Sequence, residues 1–184
     1  MYTPSLSHKK LPANRSLYKN INHLTVSAKL LPISPAVERK RPSQPSSVVK
    51  AYGLASHRGL HRTYNEDRSV ALLELRGSSR LFPQCKFFGL YDGHGGTQCC
   101  EFLQDKLHQY VVENDMFPHM PREALHHAFL DADRDFIATH DHSGSCAVVV
   151  LFIGNQCYVA NVGDSRAVLS KASGQAILDL SIDH

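Results

Sequence analysis

Residues 87–96 read FFGLYDGHGG, and this stretch decides how the rest of the chain is understood. A hydrophobic run climbs to Tyr91 and ends abruptly in Asp92, Gly93, His94, Gly95 and Gly96. An apolar strand that finishes in a carboxylate, an imidazole and three glycines presents those groups rather than burying them. Asp92 is a hard oxygen ligand suited to Mg²⁺ or Mn²⁺. His94, two residues later, is the side chain most easily tuned for proton transfer near neutral pH. The glycines let the backbone approach an ion or a phosphate closely.

Working outward, residues 85–91 form the strand that carries this motif. Before it, residues 48–55 and 69–75 have strand composition and flank a polar loop at 56–68. After it, Cys99, Phe102, Leu103, Leu107, Tyr110 and Val111 recur at helical spacing within 96–114. Pro118 and Pro121 break the chain, and Pro121 suits the first turn of a second helix. That helix carries Leu125, Phe129, Ala132 and Phe136 as one stripe. The period then changes. Residues 147–153 are a nearly continuous β-branched run, Gly154-Asn155 is a hairpin signal, and 157–162 returns as the paired strand. Residues 167–169 and 176–180 suggest one more hairpin through Ser173-Gly174. Strands, two helices and strands again predict an α+β fold, with antiparallel β-sheets flanked by helices.

The chain has 184 residues, enough for one domain and a tail, and its net charge of +3 conceals an asymmetry. Residues 1–50 hold nine Lys/Arg and one acid, Glu38, whereas residues 51–184 hold eleven Lys/Arg and sixteen Asp/Glu. An acidic body suits carboxylates gathered for cations and argues against nucleic acid as a partner. No apolar stretch approaches the ~20 residues of a membrane span, so no membrane partner is expected. Residues 1–47, with six prolines among Ser, Asn and Lys, read as a disordered basic tail, and the folded part is placed at 48–184. The basic bias also suits a mitochondrial presequence, although the prolines interrupt any amphipathic helix. Arg39-Lys40-Arg41 fits a nuclear signal or an anionic docking patch, and a solvated linker is the default for so short a run. Cys85, Cys99, Cys100, Cys146 and Cys157 lack zinc-site spacing and read as reduced thiols of a cytoplasmic or nuclear monomer.

Two more loops carry acids. The loop at 58–67 offers Arg62, Glu66 and Asp67, and Gly163-Asp164-Ser165-Arg166 follows the strand ending at Val162. A solvated loop or a surface turn is the default for each taken alone. Their interest lies in company: carboxylates at the ends of several strands can hold hard divalent ions, with water filling the remaining positions. Arg62 then suits a planar phosphate clamp. Only one His accompanies the acids at the motif, so a zinc-type cluster is not supported.

Four stretches in this order resemble the metal-dependent protein serine/threonine phosphatases of the protein phosphatase 2C, or PPM, type. They are the Arg62…Glu66-Asp67 loop, FFGLYDGHGG, Ser143-Gly144-Ser145 with Ala147, and VANVGDSRAVL at 159–169. Asp183-His184 resembles the opening of a further motif. The resemblance implies a PPM-type β-sandwich, truncated to the N-terminal portion of the domain. It implies that Asp92 bridges two Mn²⁺ or Mg²⁺ ions and that the Gly93 carbonyl binds one of them. Glu66 and Asp67 would hold the metals directly or through water, and Asp164 would help hold a weaker third ion. Arg62 would grip the phosphate of a phosphoprotein substrate, and His94 would protonate the leaving alkoxide. Cys146 stands where the family often has Thr. The family domain is about twice this length, and its later half supplies further Asp ligands. An ion held by Asp92, Gly93 and water alone would be weakly bound. The alternative, a catalytically silent binding module, has no physical need for Arg62, Asp92 and His94 together.

Overall fold

The computed structural model describes residues 25–30, 48–75, 83–171 and 174–184, the first of these as backbone only. Its strands are β1 (Thr25–Leu30), β2 (Arg68–Leu75), β3 (Cys85–His94), β4 (Gly144–Ile153), β5 (Gln156–Val162), β6 (Val168–Lys171) and β7 (Ala176–Asp179). Between β3 and β4 run helices α1 (Gln98–Glu113) and α2 (Pro121–Ile137). Five strands form an antiparallel sheet in the order β1-β5-β4-β3-β2, and β6-β7 form a separate hairpin. The α+β architecture expected from the sequence is therefore present.

Strand parity sorts the sheet's two faces, because successive side chains point to opposite sides. Phe87 and Tyr91 of β3, Ala147, Val149 and Leu151 of β4, and Tyr158, Ala160 and Val162 of β5 share one core with the helices. The α1 residues Cys99, Cys100, Leu103, Leu107 and Val111 and the α2 residues Leu125, Phe129, Ala132 and Phe136 close that core. Residues of the other parity, Val148, Cys157 and Val159, make a smaller cluster with Val150, Phe152, Ala167 and Leu180. Asp92 and His94 share the parity of the exposed Leu90, so they lie on the face away from the helices.

Three expectations change. The stretch 48–55 is irregular and exposed rather than a strand, because it finds no ladder partner among the described residues. The tail is not uniformly without structure. Thr25–Leu30 pairs antiparallel with β5 from Thr25↔Asn161 to Leu30↔Gln156. Its sequence TVSAKL alternates apolar and polar residues, a short period-2 signal within a Pro-rich surround. The rest of the proposed tail lies outside the described residues. Finally, β3 runs on to His94 and β4 begins at Gly144, so the motif sits inside the ladder rather than beyond it.

Four buried side-chain polar atoms have no hydrogen-bond partner among the described residues: Tyr91 Oη, His108 Nδ1, Asp133 Oδ1 and Asn161 Oδ1. The Tyr91 hydroxyl is enclosed beside Gly89, and burial pushes its pKa up. The Asp133 carboxyl on α2 has an orphaned Oδ1, and burial pushes its pKa up to about 6. A carboxyl with a raised folded-state pKa stabilises the fold below its unfolded value of about 3.9, and that contribution is lost as pH rises. For Asp133 the loss spans the window from about 4 to about 6. Asp133→Asn is therefore expected to flatten the fall in melting temperature across that window. Thermal melts at closely spaced pH values check it, and an unchanged slope would count against the burial argument.

Candidate metal and phosphate site

Asp92 stands opposite Cys146, and His94 opposite Gly144, in the β3–β4 ladder. Alternation along β3 puts both functional side chains on one face, with Gly93 turned inward between them. Gly93 is required there: a Cβ would collide with the Glu66 carbonyl oxygen and come within 2.9 Å of Cys100 Sγ. The backbone of the loop carrying Glu66 and Asp67 therefore rests directly on the strand carrying Asp92. Gly144 likewise lies under the His94 ring, where a Cβ would strike Nε2.

The loop is fastened. The Gly96 N–H donates to Glu66 Oε1 at 2.8 Å, and Cys100 Sγ–H donates to the Glu66 carbonyl at 2.6 Å. Arg62, mostly solvent-exposed, lies 3.6 Å from Glu66 Oε2. On the other side, Gly163 has φ +99° and packs against Cys146, whose Sγ lies 3.4 Å from Asp164 Oδ1. Buried Asn161 donates from Nδ2 to the Gly163 and Ile182 carbonyls at 3.1 and 3.0 Å, fixing this turn.

The electrostatics converge on Asp92. Partial desolvation between the strands raises its pKa most, followed by the charges of Asp67 and Asp164, while His94 and Arg62 pull it down. Asp92 at the end of β3 thus feels two further acids, Asp67 from the loop before β2 and Asp164 from the turn after β5. Hard oxygen donors whose charges raise one another's cost in this way are the chemistry a divalent cation takes. The fit is partial: among the described residues no three His, Cys, Asp or Glu side chains are gathered closely enough to hold an ion on their own. The structure thus brings Arg62, Glu66, Asp67, Asp92, Gly93, His94 and Asp164 into one neighbourhood without forming a complete ligand cage.

Comparison with known proteins decides the lineage. The protein phosphatase 2C family model matches residues 55–184. The chain belongs to the protein phosphatase 2C family. An Arabidopsis thaliana protein named probable protein phosphatase 2C 35 is 37% identical over 146 residues, covering 72% of this chain and 40% of that protein. A rice protein, Oryza sativa subsp. japonica probable protein phosphatase 2C member 13, mitochondrial, is 35% identical over 72% of this chain and 36% of its own length. This protein phosphatase 2C chain therefore spans well under half of these relatives. Among solved structures, a bacterial serine phosphatase bearing an arginine-to-alanine mutation superposes with a TM-score of 0.56 at 25% identity, covering 68% of this chain and 58% of that one. The Toxoplasma gondii serine-threonine phosphatase 2C superposes at 0.54 with 21% identity, over 67% of this chain and 46% of that one, which speaks to the fold alone.

The sequence did not point to the supports of the site. Ser143 Oγ accepts from the Cys99 N–H at 3.0 Å and donates to Asp141 Oδ1 at 2.6 Å, capping α1 from 44 residues away. Thr97, the local N-cap, makes no side-chain cap. The signal available was a Ser preceding a Gly opposite His94, which identifies no partner.

Proposed function

We propose that this chain supplies the phosphate-gripping and first metal-holding residues of a metal-dependent protein serine/threonine phosphatase. The observation that carries it is the convergence of Arg62, Asp67, His94 and Asp164 on the charge of Asp92. Asp92 and the Gly93 carbonyl would hold a pair of Mn²⁺ or Mg²⁺ ions, with Glu66 and Asp67 directly or through water, and Asp164 would serve a third. Bound divalent ions supply a nucleophilic water at neutral pH and neutralise phosphoryl charge. Arg62, exposed and forked, grips the non-bridging phosphate oxygens. His94, on the same strand face as Asp92, donates a proton to the leaving seryl or threonyl oxygen. Phosphoproteins are the substrate class, and the acidic body disfavours nucleic acid. We place the protein in the cytoplasm or nucleus. A mitochondrial presequence removed beyond residue 30 would take β1 with it and open the β5 edge.

The test is hydrolysis of a phosphoserine peptide with Mn²⁺, by this chain alone and joined to the later part of the domain of the Arabidopsis relative. Turnover that EDTA abolishes, and an Arg62→Ala variant with KM raised ~10-fold or more through loss of a charge-assisted fork, are expected. Mn²⁺ binding without turnover in either setting favours the second reading, a silent binding module.

A further inference from the structure

Arg68 follows Asp67 directly, and its guanidinium touches more of the acidic loop than any other side chain described there. Nη1 donates to the Asn65 carbonyl at 3.0 Å and to the Asp67 carbonyl at 2.8 Å, bracketing Glu66. Nη2 donates to Glu101 Oε1 at 2.6 Å, in the first turn of α1. The planar fork suits this work, since it can serve two carbonyls and a carboxylate from one rigid group. Gln104, one turn along α1, donates to the Ser69 carbonyl at 2.7 Å, so the helix also holds the start of β2, directly after the loop. Arg68 also holds the Glu101 carboxyl below its ordinary range.

We propose that Arg68, latched to Glu101, is a positioning residue that sets where Glu66 and Asp67 stand relative to Asp92. Its hydrogen bonds go to the Asn65 and Asp67 carbonyls and to Glu101, so it acts on Glu66 and Asp67 through the loop backbone. The proposal rests on the reading that those acids serve a divalent-ion site. A latch and a mere surface ion pair differ in what they change. Arg68 and Glu101 side chains are 27% and 49% exposed, and such pairs contribute little to stability. Supports of metal ligands, in contrast, commonly change metal affinity 10- to 100-fold when removed. Removing the latch should therefore barely move the melting temperature while strongly weakening cation binding.

The experiment uses the 184-residue chain, with Mn²⁺ affinity read from the free-Mn²⁺ paramagnetic resonance signal. Amide hydrogen exchange at residues 65–69 is measured in parallel without metal. Arg68→Ala should weaken Mn²⁺ binding about tenfold or more and speed exchange across the loop. Glu101→Gln should do the same to a smaller degree, and the double variant should be no weaker than Arg68→Ala, since both break one unit. Arg68→Lys reaches Glu101 but cannot bracket two carbonyls, so it should recover only part of the loss. Affinity within about twofold of the parent together with unchanged exchange would overturn the latch. If the parent chain binds no Mn²⁺ either alone or joined to the later part of the domain of the Arabidopsis relative, the ion-site reading fails. The latch is then judged by exchange alone, and unchanged exchange in Arg68→Ala and Glu101→Gln sinks it.

Discussion

Asp92→Asn is expected to remove Mn²⁺-dependent phosphopeptide hydrolysis and, at the same time, to make the metal-free fold more stable. The loss follows from position: the charges of Asp67 and Asp164, from two acidic loops, converge on Asp92 at the end of β3. A neutral amide there would weaken the hold on the divalent ions of the proposed site, whose contribution to phosphoryl chemistry is several kcal/mol, or on the order of a thousandfold in rate. The gain follows from the sign of the shift. Desolvation, Asp67 and Asp164 raise the pKa of Asp92 in the folded state. Its contribution to stability is therefore present below the unfolded value of about 3.9 and is lost as pH rises through the higher folded value. At neutral pH the ionised Asp92 carboxylate, without metal, opposes folding, and Asn relieves it. In EDTA the variant should melt higher than the parent at pH 7, and the two should converge at low pH. Adding Mn²⁺ should raise the melting temperature of the parent and leave that of the variant nearly unchanged. A variant that still turns over with Mn²⁺, or one less stable than the parent at pH 7 in EDTA, would defeat this account.

How much of this was legible beforehand divides along a physical line. The helices, the β4–β5 hairpin and the acid-bearing strand end were readable because each is a local pattern, a period of 3.6 or 2 closed by Gly or Pro. Residues 48–55 misled for the same reason. Their composition is that of a strand, but a strand exists only where a neighbour completes its ladder, and none stands there among the described residues. Thr25–Leu30 is the converse, a weak six-residue alternation made into a strand by the free edge of β5. In the site, the residue types that hold ions and phosphate were evident from chemistry and resemblance. Their supports were not, because each spans a long gap in sequence: Ser143 to Cys99, Cys100 to Glu66, and Arg68 to Glu101, 33 residues away. A hydrogen bond from a side chain to a group far away in sequence leaves no period to detect.

Gly93→Ala should damage the fold and the cation site together, which separates it from substitutions that harm one alone. The added methyl would meet the Glu66 carbonyl oxygen, then Cys100 Sγ at 2.9 Å and the Glu66 carbonyl carbon at 3.1 Å. Two of those obstacles are backbone, and the third is a fully buried thiol that itself donates to the Glu66 carbonyl. None can swing aside as an exposed side chain would. Either β3 loses its ladder bond near Ser145, its partner in β4, or the loop lifts away and breaks the Cys100–Glu66 contact. Overpacking of this kind costs roughly 1–3 kcal/mol, or several degrees in melting temperature for a domain of this size. Lifting the loop also carries Glu66 and Asp67 away from Asp92, so Mn²⁺ affinity should fall by about tenfold or more. Two other glycines give the contrast. Gly53→Ala meets nothing within 4 Å and should be silent. Gly144→Ala meets the His94 ring, with Cε1 at 2.8 Å, and a side chain open to solvent can rotate away. It should spare stability and Mn²⁺ binding and lower turnover by the roughly 10²- to 10⁴-fold that a displaced proton donor costs. If Gly93→Ala instead left both melting temperature and Mn²⁺ affinity unchanged, the loop at 65–67 would not rest on β3, and the convergence on Asp92 would lose its structural basis.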